Sequence, residues 1–327
     1  MTPGISIVIP NWNGAAYIAR CVAGTIQSAR ASGQEAEVIV VDDASPDRSA
    51  DAVEQDFPSV TILRNPQNVG FGASVNRGAA VAAGEYVVLL NNDLVPRGQM
   101  IRELVDPLRS DPGLFGVSGK TVDWRSGDPN HVNMAARWLN GNFVVTHENS
   151  DKPSPTMFLQ GGCCAMRRSE FLRIGGFSPL FAPGYWEDYD VSYLALKAGW
   201  RNLYSPAAIA SHLGQGSMKR AHGSAFINAL RRRNFFLFTW MNLSDRDLLN
   251  EHLGQLPATL FHATSSGDMN TVRGFFRALP AVSSVVRERE RRRSLIRQTD
   301  STVLKGFETH GCRRPEPDPK HLISGVV

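Results

Sequence analysis

The chain has 327 residues, 42% apolar and 20% charged, with a formal net charge of +4 and a pI near 9.0. That length carries one large α/β domain, or an ordinary domain with a smaller attachment, and the composition excludes a disordered or fibrous chain. The charge balance does not mark a nucleic-acid binder, and the four cysteines, Cys21, Cys163, Cys164 and Cys312, lack any zinc-site spacing and fit a reducing, cytosolic setting. The start, MTPGISIVIP, lacks the basic and apolar regions of a signal peptide, and no later run reaches the roughly 18 apolar residues of a spanning helix. A soluble protein is expected.

From Ile5 to Leu90, β-branched runs alternate with helical stretches, the pattern of a mostly parallel sheet with helices on its faces. The predicted strands are Ile5–Pro10, Glu37–Val41, Val60–Leu63 and Tyr86–Leu90, near-continuous apolar runs suited to burial on both faces. The predicted crossover helices are Ala15–Ala29, Ser49–Gln55, Val69–Ala83 and Arg97–Arg109. Polar residues follow three of the strands: Asn11 to Gly14, Asp42 to Asp47, and Asn91 to Asp93. In open parallel sheets, ligands bind beyond the carboxyl ends of the strands, so these clusters should face one crevice.

Between Lys120 and Pro155 the periodicity fails, and loops with edge strands are expected. A second organised block, Phe158 to Gly216, carries Gly161, Gly162 and the acidic group Glu187, Asp188 and Asp190 ahead of a predicted helix over Val191–Ala198. Beyond about Ala225 the chain turns to arginine-rich helical segments, so a boundary is expected near Gly223, dividing residues 1–223 from a helical extension, 224–327.

The blocks ISIVIPNWNG, VIVVDDASPD, NVGFGASVNRG, VVLLNNDLVP and WEDYDVSYLALKAGW, in this order and spacing, resemble the family 2 glycosyltransferases of the GT-A fold, most of all the rhamnosyltransferase-like branch. The resemblance covers about residues 4 to 215. It implies a nucleoside pocket at Pro10, Asn11, Asn13 and at least one of Asp42 and Asp43. A carboxylate there can accept a base imide N–H or a ribose hydroxyl, although an Asp after a strand can equally cap a turn or helix. Asn68, Gly70, Phe71 and Asn76 are implied near nucleotide and sugar, with Arg77 in reach of phosphate; Gly161 and Gly162 are implied under the sugar, where small residues permit close approach.

Asn91-Asn92-Asp93 stands at the position of the family's DxD motif, which binds a divalent cation bridging the donor diphosphate. Mg²⁺ or Mn²⁺ is implied, with Asp93 as the charged ligand, Asn91 as a neutral one, Asn92 on the donor and His212 as a further metal ligand. Asp188 matches the general base that removes the acceptor's proton, and Glu187 is implied on donor or acceptor hydroxyls; carboxylates in a first helical turn also serve as caps.

The implied reaction is inverting transfer from a nucleoside diphosphate sugar, dTDP-rhamnose or a UDP-sugar, to a hydroxyl of a glycan, a lipid-linked glycan or a small molecule. The setting is cytoplasmic or peripheral at the inner face of a membrane, with no nucleic-acid partner. A sugar-1-phosphate nucleotidyltransferase would want a basic glycine-rich loop where PNWNG stands, and a non-catalytic binder would have no need of both Asp93 and Asp188. Arg231 to Arg233 ahead of Phe235 to Trp240 read either as an anionic-membrane contact or as a core helix with a basic end. Arg287–Arg297, where arginines mix with Glu288 and Glu290, reads as a solvated helix, with a polyanion site as the lesser alternative.

Overall fold

The computed structural model describes residues 4–33, 35–214 and 217–308. Cys312 and the segment Pro315 to Pro319 lie outside them. The N-terminal part alternates β1 (Ile5–Asn11), α1 (Ile18–Ala31), β2 (Ala36–Asp42), α2 (Ser49–Asp56), β3 (Thr61–Arg64), α3 (Phe71–Val81) and β4 (Tyr86–Leu90). These strands pair in parallel in the order β3-β2-β1-β4. Because β1 and β4 are covered on both sides, alternate residues serve two cores. Ile5, Ile7 and Ile9 meet α1 and the helix that follows β4, while Val8, Ile39 and Leu89 meet α3.

The chain continues through β5 (Leu94–Pro96), α4 (Met100–Ser110), β6 (Leu114–Asp123), β7 (Pro129–His131), β8 (Asn133–Leu139), β9 (Asn142–Glu148), β10 (Ser154–Pro155), β11 (Cys163–Arg167), α5 (Arg168–Arg173), α6 (Glu187–Lys197) and β12 (Arg201–His212). β11 enters antiparallel between β4 and β6, and β12 runs parallel to β6, so the sheet is α/β and parallel at its N-terminal half but mixed beyond it. The stretch read as loops and edge strands also holds a separate hairpin of β8 and β9. Its turn is Asn140-Gly141, with φ of 49° and 73°. An Asn-Gly pair flanked by strands is a strong hairpin signal, masked here by the surrounding polar residues.

The C-terminal part consists of α7 (Ser217–Asn242, non-helical at Gly223), α8 (Arg246–Ser265), α9 (Met269–Ala278), α10 (Val282–Arg292) and α11 (Asp300–Glu308). One apolar core joins Met134, Phe143, Phe158, Trp186 and Tyr193 to Phe236, Phe238, Val285 and Val303. The aromatic segment of α7 is therefore a core helix: Phe236, Leu237 and Phe238 are buried, and they are not available to a bilayer. The arginine run at Arg287–Arg297 is likewise not simply a solvated face, since Arg292 is buried against Asp190 and Arg289 donates to the Trp240 carbonyl at 2.6 Å. No helix among the described residues is long and apolar enough to cross a membrane.

Candidate functional site

Parallel strands bring their carboxyl ends to one edge, and the polar residues following β1, β2 and β4 meet there. Because β11 runs the opposite way, the Gly161-Gly162 turn before it arrives at the same edge, as does the N-terminus of α6. Together they enclose a cavity of about 330 Å³.

Of the residues implied for the donor, Pro10, Asn11, Asp43, Asn68, Gly70, Phe71, Asn92, Gly161, Gly162 and Glu187 line the cavity. Asn11 is locked: its Nδ2 donates to Asp42 Oδ1 at 3.0 Å and to Ser49 Oγ at 2.8 Å, and its Oδ1 accepts from Asn92 at 2.8 Å. Asp43 reaches the wall while accepting from Asn65 Nδ2 and from the Val69 and Gly70 amides at 2.8–2.9 Å. It thus fixes the loop into α3; Asp47 caps α2 instead, accepting from Ser49 N at 3.1 Å.

Asp42, Asn13 and Asn76 do not line the cavity. Asp42 is consumed by Asn11 and the Ser45 amide. Asn13 adopts φ 53° in the turn after β1, where its amide donates to Ser45 Oγ at 3.2 Å. Asn76 points across α3 and exchanges two 2.8 Å bonds with the Phe177 backbone. Arg77 is also turned away, donating to the Arg64 carbonyl at 2.7 Å.

Asn91, Asn92 and Asp93 line the cavity floor. His212, at the end of β12, is not part of the wall but places Nε2 3.1 Å from Asp93 Oδ2, and this hydrogen bond raises the imidazole's pKa against the effect of burial. One carboxylate, one imidazole and the neutral Asn91 amide are a donor set for a hard cation that completes its shell from phosphate and water. Among the described residues no three His, Cys, Asp or Glu converge as a self-sufficient metal site.

α6 starts at Glu187, earlier than predicted, so Glu187, Asp188 and Asp190 all sit in its first turn. Asp188 accepts from the Gly161 amide at 3.0 Å through Oδ2 and from the Tyr189 amide at 2.9 Å through Oδ1, leaving each oxygen a second lone pair. A Cβ at Gly161 would lie 2.9 Å from Asp188 Cβ, and one at Gly162 would lie 2.3 Å from the Asn91 side chain, so only glycine lets this turn pass between Asp188 and the loop after β4. Burial pushes both carboxyls up, Asp188 to about 6 and Glu187 to about 8, the latter also repelled by Asp188. Both carboxyls therefore hold a proton to higher pH than ordinary carboxyls do, each raising the other's affinity for it. Glu187 Oε2 is buried with no partner, as is Gln160 Oε1 on the same wall. Asp190 points away from the cavity and pairs with Arg292 at 2.7 Å.

Several wall residues were given no site role by the sequence reading, among them His131, Met134, Tyr185 and Tyr189, and Arg231, read there as part of a membrane-contact or core-helix segment, also lines the wall. Tyr185 and Trp186 adopt φ 72° and 78°, an uncommon conformation for non-glycine residues that turns the chain into α6. Residue-type signals for Tyr185 and Trp186 were present in the aromatic run before Glu187. Arg231 lies on a distant helix and had no local signal.

The profile of Glycosyl transferase family 2 matches residues 6–175. An N-acetylglucosaminyl-diphospho-decaprenol L-rhamnosyltransferase of Mycobacterium tuberculosis is 26% identical, over 75% of this chain and 86% of its own. A pre-mycofactocin glycosyltransferase of the same organism is 27% identical over 64% of this chain, which spans 42% of that relative. Among solved structures, the mannosyltransferase of Pyrobaculum calidifontis in complex with GDP-Man and Mn²⁺ superposes with a TM-score of 0.54 at 16% identity, covering 94% of this chain and 88% of the other. GalNAc-T7 with UDP, GalNAc and Mn²⁺ gives 0.58 at 16% identity, covering 75% and 48%. The matched profile spans the strands, the metal-position loop and the glycine turn that build the cavity, and the chain belongs to glycosyl transferase family 2, with the GT-A fold and transfer of a sugar from a nucleotide carrier to an acceptor.

Proposed function

We propose that the protein is a metal-dependent inverting transferase that moves a sugar from dTDP-rhamnose or a UDP-sugar to a hydroxyl of a lipid-linked acceptor. The observation that carries this reading is that Asp93, held at 3.1 Å by His212, and the Asp188 carboxylate line one cavity. In the proposed reaction Asp188 takes the hydroxyl proton as the acceptor oxygen bonds to the anomeric carbon, and the bond to the diphosphate oxygen breaks on the opposite side, releasing nucleoside diphosphate. Asp93, His212 and Asn91 would hold Mg²⁺ or Mn²⁺, and the cation, when bound, would neutralise charge gathering on the leaving diphosphate. Asp43, Asn11, Asn68 and Phe71 would receive the nucleoside, and protonated Glu187 would donate to a sugar hydroxyl. The choice of a lipid-linked acceptor follows the mycobacterial relative, which covers most of both chains. Such acceptors are presented at membranes, so a peripheral position at the inner face belongs to the same reading.

The test is release of nucleoside diphosphate from a panel of nucleotide sugars with Mn²⁺ and lipid-linked acceptors. Turnover should vanish in chelator, and Asp188→Asn should lower it by roughly two to four orders of magnitude, the usual contribution of a general base, with nucleoside diphosphate affinity unchanged. Full turnover in chelator would refute the metal, and an active Asp188→Asn would refute the base.

A further inference from the structure

Three consecutive arginines on α7 meet three different fates. Arg232 lies 3.6 Å from Asp268, and Arg233 donates to Asn234 Oδ1 at 2.8 Å and to the Ala182 carbonyl at 3.4 Å. Arg231 turns into the cavity wall, its guanidinium over the Tyr185 ring at 4.6 Å from the centroid, and its Nε is buried without a hydrogen-bond partner. Among the described residues it is the sole Lys or Arg lining the cavity. Four carboxylates share that lining, Asp43, Asp93, Glu187 and Asp188, yet none stands within ion-pair distance of it. A buried Nε–H without a partner is costly, and an arriving anion would satisfy it. Its planar fork matches phosphate.

The position of Arg231 separates two sources of phosphate. The residues suited to the donor diphosphate stand on the loop after β4. Arg231 comes from the opposite wall, one helical turn before Asn234, whose Nδ2 holds the Gly184 and Tyr185 carbonyls at 2.9 and 2.8 Å. Its guanidinium lies over Tyr185, which with Tyr189 flanks Glu187 and Asp188 on the cavity wall. We propose that Arg231 binds a phosphate of the acceptor, making this wall a subsite for sugars carried on a lipid diphosphate. The inference rests on the transferase reading above and adds the residue that selects a charged acceptor over a neutral one.

Geranyl diphosphate serves as the probe, titrated by calorimetry into the whole protein with UDP or dTDP and Mn²⁺ already saturating, and geraniol as the uncharged control. Geranyl diphosphate should bind without displacing nucleotide, and geraniol should bind far more weakly. Arg231→Gln should weaken the diphosphate by about 10- to 100-fold, the range for a charge-assisted bond; Arg231→Lys should fall between. Nucleotide affinity should stay constant, and unchanged thermal melting of either variant confirms an intact fold. The proposal is overturned if Arg231→Gln binds the probe as wild type does, if the probe displaces nucleotide, or if the substitution weakens nucleotide instead, which would assign Arg231 to the donor. Failure of the transferase reading shows separately, as wild-type protein that takes up no nucleotide with Mn²⁺; the probe titration without nucleotide then still decides on Arg231.

Discussion

Burial raises the pKa of the Glu187 carboxyl, and stability should register it. Burial, with repulsion from Asp188, raises the folded-state pKa from 4.5 to about 8. The folded state thus binds the proton more tightly than the unfolded chain; the stabilisation is complete below the unfolded pKa and is lost as pH rises through about 8. Glu187→Gln removes the charge at every pH, so its melting temperature should exceed that of wild type by more at pH 9 than at pH 5. An equal difference at both would show that Glu187 is not protonated in the fold. Asp188 obeys the same sign with a lower value, and the base role proposed for it requires the ionised form, so turnover should climb as pH rises through about 6.

At the scale of elements, the turn into α6 stores strain that another helix holds in place. Two successive left-handed residues, Tyr185 and Trp186, cost roughly 1–3 kcal/mol each and persist where neighbours over-determine them. The neighbour is Asn234 on α7, fully buried, donating Nδ2 to the carbonyls of Phe181, Gly184 and Tyr185 at 2.8–3.0 Å. Asn234→Ala would remove this shared donor, while the Phe181 carbonyl keeps the Gly184 amide, at about 1–3 kcal/mol for a buried group left unsatisfied. Denaturant unfolding should show that loss, and turnover should drop beyond what the folded fraction explains, because the turn aims Glu187 and Asp188. A variant as stable and as active as wild type would show that the turn holds itself.

Across the whole molecule, the C-terminal helices grip α6 from its far side. Asp190, one turn into the helix, makes a bidentate pair with Arg292 at 2.7 Å, and Lys197 at its end lies 2.8 Å from Asp300, with all four side chains nearly or fully buried. Breaking a buried pair strands a charge, so Asp190→Asn or Arg292→Met alone should each cost about 3–5 kcal/mol, while the double variant should lose less than the sum. Additive losses in a denaturation cycle would mean that the two side chains act independently.

The sequence by itself determined the α/β class and where the site had to form. β1, β2 and β4 are buried on both faces, which writes continuous apolar runs into the chain, and their parallel order forces Asn11, Asp43 and Asp93 to one edge. The Asn140-Gly141 hairpin was also written there, but among many polar neighbours its signal was local and faint. Tertiary structure alone decided which polar residues face the cavity and which hold the frame. Asp42 and Asp43 are adjacent and alike in sequence, yet the pleat turns one towards Asn11 and the other towards the cavity. Arg231, Arg232 and Arg233 are identical in type, and only the packing of α7 against α6 and α9 assigns one to the cavity, one to Asp268 and one to a carbonyl. The fate of a charge depends on the counter-charges and water around it, and those are supplied by segments distant along the chain that only folding brings near.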